Sequence, residues 1–215
     1  ITDRYDRFPL EEVNMKIFLP IASTFVALFV LWHQLPMADN PSYFDFADTR
    51  ILWTISHAGD VLSNIPFFFV GLLGLLNTCS KKSLLLNEYK HCLSILALGT
   101  ILTCFGSIYF HLNPNLYTLF WDRLPMTIGF TGLIGLLITD RIGLKIGFFS
   151  CYLLVAMGLF SIIGWHNSWL DLRPYLSLQY GCLIFALLIV FFTPSNVIKN
   201  SSVLIALILY VLAKV

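Results

Sequence analysis

Seven runs of apolar residues, separated by short polar stretches, organise the chain. The runs cover residues 17–33, 61–79, 91–111, 124–139, 143–164, 177–193 and 202–215. Most of them approach the ~20 residues that an α-helix needs to cross ~30 Å of hydrocarbon. A helix also satisfies its own backbone hydrogen bonds where water is absent. The pattern therefore predicts an all-α fold, a polytopic membrane bundle of seven apolar helices.

The two ends of the chain differ from the regular pattern. Residues 1–16 are polar, and Met15 stands directly before the first apolar run, so we divide the chain into a polar stretch, 1–16, and a membrane domain, 17–215. The first run could instead be a signal peptide, but no cleavage site brackets it, which favours an anchor helix. The last run would rise only ~21 Å, at ~1.5 Å per residue. We therefore expect that helix to be truncated.

Composition agrees with a membrane protein and narrows its partners. The chain is 58% hydrophobic and 12% charged, and its mean hydropathy is +0.81. Its formal net charge of +1 excludes a broad basic face, so nucleic acid is not an expected partner and membrane lipid is. The five cysteines form no CxxC pair and are predicted to be buried core residues. Oligomeric state cannot be predicted from these data.

Basic residues indicate the orientation in the membrane. Nine fall on the side of the amino terminus and three on the other, which by the positive-inside rule places the amino terminus in the cytoplasm. The nine are Arg4, Arg7, Lys16, Lys81, Lys82, Lys90, Arg141, Lys145 and Lys199, and the three are Arg50, Arg123 and Arg173. Most histidines and aspartates fall on the side with three, so we expect a site at the outer face of the membrane.

One group of residues at that face has catalytic character. Ser107 and His111 are four residues apart, so they share a face of one helix, and Asp122 follows where the next helix is predicted to open. A hydroxyl, an imidazole and a carboxylate could together support a metal-bound water. Three structural readings stay open: Asp122 as a helix N-cap, His111 as an interfacial residue and Ser107 as a small packing residue.

Two motifs at these residues resemble the alkaline ceramidase family of membrane amidases. They are Phe105-Gly106-Ser107-x-x-Phe110-His111 and Asp122-x-Leu124-Pro125-Met126. Phe46-Ala47-Asp48-x-Arg50, residues 61–67 and residues 171–175 are similar to the bacterial, phytoceramidase-like branch. The resemblance covers residues 43–215 and implies a seven-helix hydrolase fold, related to the wider superfamily of the adiponectin receptors. Here one extra helix would precede six of the seven.

The resemblance implies a zinc-dependent hydrolase of ceramide or another N-acyl lipid, acting in sphingolipid metabolism. His111 would be a zinc ligand, and Ser107 and Asp122 would be catalytic, Asp122 as the proton acceptor and Ser107 as a donor to the oxyanion. A calcium site is implied more loosely, with Asp45, Asp48 and Asp60 as candidate ligands. Calcium needs six or more oxygen ligands, so these three would be part of a larger set.

The chain departs from the family pattern in one respect. The family takes two further zinc ligands from an H-x-x-x-H pair on its last helix, and no such pair occurs here. We expect the pair to lie beyond Val215; the alternative is an inactive relative. His33, His57 and His166 are weaker candidates for completing the site. A lipid-binding receptor-like protein and a transporter remain alternative functions, although no inverted repeat supports a transporter.

Overall fold

The computed structural model describes residues 10–32, 44–80 and 87–213. Eight helices occupy most of these ranges: α1 (Leu10–Trp32), α2 (Ala58–Ser63), α3 (Ile65–Cys79), α4 (Asn87–Leu112), α5 (Leu116–Arg141), α6 (Leu144–His166), α7 (Arg173–Phe192) and α8 (Asn200–Leu212). The only extended pairing within the same ranges is an isolated bridge between Leu52 and Ile55. The all-α prediction is therefore confirmed for the described part of the chain.

The predicted apolar runs correspond to helices, with some differences at their ends. Four helical stretches are long and apolar enough to cross a membrane, which is compatible with an integral membrane protein: Ala58–Cys79, Asn87–Leu112, Leu144–His166 and Arg173–Phe192. Helix α1 begins at Leu10, so the polar stretch 1–16 is helical in its second part, and residues 1–9 lie outside the described ranges. Residues 214–215 of the last predicted run lie outside them too.

The second apolar run is divided between two helices. Helix α2 ends at Asn64, whose side-chain amide donates to the carbonyl of Asp60 at 2.7 Å, and α3 starts at Ile65. Pro66 stands at the start of α3, where its missing N–H does not interrupt a helical hydrogen bond. The short helix α2 can therefore take its own direction and brings Asp60 to the end of α4.

Helix α5 is the centre of the bundle because it packs against α4, α6 and α7. Glycines allow the close approach on two sides. A Cβ built on Gly132 would lie 2.5 Å from the backbone nitrogen of Leu96 in α4, and one on Gly147 of α6 would lie 2.1 Å from the Thr139 hydroxyl oxygen. Small residues at such contacts let helix backbones approach closely, as is common in membrane bundles.

The amino end of α5 differs from the prediction. The helix begins at Leu116, and Asn115 is its N-cap: the Asn115 side chain accepts from the Thr118 N–H, and the Thr118 hydroxyl accepts from the Asn115 N–H. This capping box closes the helix end six residues before Asp122. The expectation that Asp122 opens the helix is therefore wrong, and its side chain is not needed as a cap.

A second polar group anchors the other end of α5. The fully buried Asp140 accepts through Oδ1 from the Tyr89 hydroxyl at 3.0 Å and from the backbone N–H groups of Val197 at 2.8 Å and Ile198 at 3.3 Å. Arg141 donates to the Thr193 carbonyl at 2.8 Å. These bonds fasten the α7–α8 connection to α5, below an apolar core that α5, α7 and α8 share.

Candidate functional site

The predicted catalytic residues lie where α4 and α5 are in close contact. Ser107 and Asp122 are both buried, on α4 and α5 respectively. Between them the backbones almost touch, since a Cβ on Gly106 would lie 2.0 Å from the carbonyl oxygen of Trp121. The structure thus brings the neighbours of this contact, Ser107 and Asp122, to the same level of the bundle.

Asp122 has a basic neighbour that the sequence analysis did not assign to the site. The Nη1 atom of Arg123 lies 3.4 Å from Oδ2 of Asp122, and both side chains are largely buried. The Arg123 guanidinium also lies 6.0 Å from the ring centroid of Tyr175 on α7. A cation beside a carboxylate favours the charged form of that carboxylate. The pair therefore places an ionisable group in an apolar bundle without leaving its charge isolated.

His111 ends α4 beside a second carboxylate. Its Nδ1 lies 3.8 Å from Oδ2 of Asp60, and this buried nitrogen has no hydrogen-bond partner among the described residues. Asp122, Arg123 and His57 are also near enough to act electrostatically on the imidazole. His111 is thus the point to which the charged groups of α2, α4 and α5 converge.

Residues 44–57, which we name the cover segment, close over the end of α4. His57 Nδ1 lies 2.9 Å from the carbonyl oxygen of His111, and the Ser56 hydroxyl donates to the carbonyl of Leu112 at 3.2 Å. The Phe46 ring lies 4.7 Å from the His111 ring and 5.5 Å from the Phe110 ring, centroid to centroid. Phe46 therefore provides an apolar wall on one side of the imidazole.

Asp48 holds the cover segment on helix α2. Its Oδ2 accepts from the N–H groups of Gly59, at 2.5 Å, and Asp60, at 3.3 Å, in the first turn of that helix, and its Oδ1 accepts from Nε of Arg50 at 2.5 Å. The Arg50 hydrogen bond is the main reason that the pKa of Asp48 lies well below its usual range, and the N–H groups of α2 act in the same direction. A carboxylate at a helix N-terminus is also favoured by the helix dipole.

The candidate calcium ligands do not form one group. Asp45 is exposed, Asp60 faces His111, and both carboxylate oxygens of Asp48 already accept hydrogen bonds from the protein. A calcium ion at Asp48 would have to displace Arg50 or the helix N–H groups. The calcium site stays a prediction.

The described residues do not complete a zinc site. Among them no three His, Cys, Asp or Glu side chains are grouped so that they could hold one metal ion. Zinc sites in proteins use at least three side-chain ligands, and His111 with a carboxylate is short of that number. His166 packs on the Phe120 ring at 4.3 Å, His91 packs on Phe148, and His33 lies outside the described ranges.

Sequence reasoning missed Arg123 and Phe46 as parts of this site and named His57 only as a weaker candidate. Arg123 could have been noticed, because an Asp-Arg pair inside an apolar run is unusual. His57 and Phe46 contact His111 only because of the path of the cover segment, and no spacing in the sequence predicts that path.

Comparison with known proteins gave no match: no protein-family model, curated protein or solved structure matches this chain.

Proposed function

We propose that this chain is an integral-membrane amidase that hydrolyses the amide bond of ceramide or a related N-acyl lipid. The support is the meeting of Ser107, His111 and Asp122, the three residues carried by the ceramidase-like motifs, at one end of the bundle. In the proposal, His111 is one zinc ligand, and the remaining ligands are histidines outside the described residues. The membrane spans are helices α1 to α8, with α2 and α3 counting as one.

One observation carries the proposal furthest. The Nδ1 atom of His111 is buried, faces Asp60 at 3.8 Å and has no hydrogen-bond partner among the described residues. A buried polar atom without a partner costs about 1–3 kcal/mol. A structural histidine would be expected to use both ring nitrogens, whereas a ligand or catalytic histidine keeps one for its task.

In the proposed reaction, side chains of this chain transfer the proton and stabilise the oxyanion. Asp122 accepts the proton of the attacking water and returns it to the leaving amine, while Ser107 donates a hydrogen bond to the oxyanion. The Arg123 guanidinium lies 3.4 Å from the Asp122 carboxylate and is its nearest described basic partner. Asp60 places a negative charge 3.8 Å from Nδ1 of His111, without a hydrogen bond to it.

The apolar surroundings suit a lipid substrate. The wall formed by Phe46 and Phe110 lies beside His111. This end of the bundle is at the level where the spanning helices end. In the proposed orientation the amino terminus is cytoplasmic and the site faces outward. Acyl and sphingoid chains would then remain in the hydrocarbon while the amide reaches the polar residues.

The test is hydrolysis of a fluorescent ceramide by the complete natural protein in detergent. We expect Asp122→Asn to lower the rate at least ~100-fold, the lower end of general-base contributions. Because this variant also removes the counter-charge of the buried Arg123, its folding is checked separately by thermal unfolding. His111→Ala should lower both the rate and the amount of bound zinc. His91→Ala is the matched control because its ring packs on Phe148, away from the site.

Three outcomes would count against the proposal. Full activity of Asp122→Asn would remove the assigned proton acceptor. Equal loss of zinc in His111→Ala and His91→Ala would point to general misfolding of the bundle. If the complete wild-type protein hydrolyses no lipid amide while it binds ceramide, the receptor-like alternative is correct.

A further inference from the structure

The cover segment contains a tight turn that displays apolar side chains. Leu52 and Ile55 exchange two backbone hydrogen bonds, of 3.1 and 2.9 Å, around Trp53 and Thr54. Both central residues have positive φ, 47° and 74°, a combination that hairpin turns usually give to Asn and Gly. A bulky Trp and a β-branched Thr are unfavourable there. The sequence thus keeps an apolar turn at a position where small polar residues would fold more easily.

The side chains on this turn contact little of the protein. Trp53 is 85% exposed, Ile51 is 74% exposed and Leu52 is 43% exposed. Scattered apolar residues on a surface are ordinary, but three consecutive ones on a strained turn form a projecting apolar patch. Such a patch requires an apolar environment that the described residues do not supply at this place.

The position of the turn identifies that environment. The spanning stretch Ala58–Cys79 begins four residues after Thr54, and the cover segment bonds to the carbonyls of His111 and Leu112 at the end of α4. Helix α4 has 26 residues and is ~39 Å long, so it exceeds the ~30 Å hydrocarbon layer. The ends of α4 therefore reach the headgroup layer, and the bonds from Ser56 and His57 place the neighbouring turn beside one of these ends.

The chemistry of the patch fits this layer. Tryptophan is enriched at membrane interfaces, where an apolar ring with one N–H donor finds both hydrocarbon and polar groups. Arg50 stands next to the patch with a side chain that is 75% exposed, and a guanidinium there can meet lipid phosphate. A cation next to consecutive apolar residues is typical of an interfacial anchor.

We propose that the turn of residues 51–54 inserts into the headgroup layer of the bilayer and anchors the cover segment to lipid. The inference is independent of the proposed function, since it requires only that the spanning helices lie in a membrane. The apolar patch is therefore assigned to contact with the lipid headgroup layer and not with a second protein.

The experiment measures the surroundings of Trp53 in the full chain, reconstituted into nanodiscs of phosphatidylcholine and phosphatidylglycerol. A variant that keeps Trp53 carries phenylalanine at Trp32, Trp121, Trp165 and Trp169. The reference for hydrocarbon is a variant in which Trp53 is replaced in addition to the other four tryptophans. Its single tryptophan is introduced by Phe105→Trp, at an exposed position of α4. N-acetyl-tryptophanamide is the reference for water. Quenching by iodide and by phosphatidylcholine brominated high on its acyl chains is then compared.

We expect the iodide quenching constant of Trp53 to be at least ~3-fold below that of the water reference, because interfacial tryptophan is screened from the aqueous phase. Shallow brominated lipid should quench it more than lipid brominated near the chain end, and this preference for shallow bromine should be stronger than in the deeper Phe105→Trp reference. A simpler check uses only the single replacement Trp53→Phe. The emission spectrum that this variant loses should have its maximum at a shorter wavelength than the spectrum of the water reference.

Two results would overturn the proposal. Quenching by iodide as strong as in the water reference would place the turn in solvent. Protection from both iodide and brominated lipid would show that protein covers Trp53, as in contact between two copies. If the variant that keeps Trp53 does not fold, the difference spectrum of Trp53→Phe decides: emission like that of tryptophan in water rejects the anchor.

Discussion

Gly106→Ala tests the contact on which the site depends. The Cβ of an alanine at this position would lie 2.0 Å from the carbonyl oxygen of Trp121, whereas real Cβ atoms essentially never come within 3.0 Å of such an atom. The two helices would have to separate by at least 3.0 − 2.0 = 1.0 Å at this level. The opposing atom belongs to the backbone, so no side-chain rotation can relieve the clash.

The expected loss of stability combines two opposing effects. Overpacking of a close contact costs typically about 1–3 kcal/mol, and a rigid backbone partner favours the upper end. Alanine regains about 1 kcal/mol because it forms helices better than glycine does. The net loss is then about 2 kcal/mol. For a chain of this size we expect a melting temperature about 4–8 °C lower.

The assay is thermal unfolding in detergent, with Gly129→Ala as the matched control. Gly129 lies on the same α4–α5 contact, but its Cβ would come no closer than 3.9 Å to a neighbouring heavy atom. The control should therefore keep or raise the melting temperature. If the proposed function is correct, Gly106→Ala should also lower lipid-amide hydrolysis ~100-fold, because a ~1 Å misplacement of reacting groups costs that much. Equal melting temperatures for the two variants would refute the described packing of α4 on α5.

Three further predictions concern other parts of the molecule. Asp140→Ala should lower the free energy of unfolding by at least about 3 kcal/mol because three donors lose their acceptor, whereas Asp140→Asn keeps an acceptor oxygen and should cost less than about 1 kcal/mol; thermal unfolding distinguishes them. The pKa of Asp48 is lowered in the folded state, so its contribution is complete above its unfolded pKa of about 4 and is lost only as the pH falls below that value. Protection of the Gly59 amide from hydrogen exchange should accordingly be the same at pH 5 and pH 8 after correction for intrinsic rates, and lower in Asp48→Asn at both. A cysteine at the exposed Asn113 should react with a membrane-impermeant reagent from outside; reaction only from the cytoplasm would reverse the orientation.

The helical class and most helix positions could be predicted from the apolar runs alone. An apolar run of about 20 residues has one main solution in a membrane, so residues 143–164 and 177–193 correspond closely to α6 and α7. The start of α5 could not be placed in the same way. Asn115 and Thr118 cap it, but Trp121-Asp122-Arg123 interrupts the apolar pattern and moved the predicted start too far along the chain.

The site could be predicted only as far as helical periodicity reaches. Ser107 and His111 share a face by their spacing, and that relation is local. The approach of Asp60 to His111 depends on the path of the cover segment, in which three residues have positive φ. These non-glycine conformations cost about 1–2 kcal/mol each and are held by tertiary contacts, so local sequence preference argues against them.

The two Asp-Arg pairs of α5 show how one dipeptide can serve two purposes. Asp122 and Asp140 are eighteen residues apart, or ~27 Å along the helix, which is close to the thickness of the hydrocarbon layer. At the far end, backbone N–H groups of the α7–α8 connection bond to Asp140, and Arg141 bonds to the carbonyl of Thr193; these partners fix the chain. At the site end, Asp122 is paired with the guanidinium of Arg123, a side chain that can adjust as charge changes. A carboxylate held by backbone groups is suited to structure, and a carboxylate paired with a side chain beside an unsatisfied histidine is suited to proton transfer. This difference in partners supports a structural role for Asp140 and agrees with the proposed role of Asp122 in proton transfer.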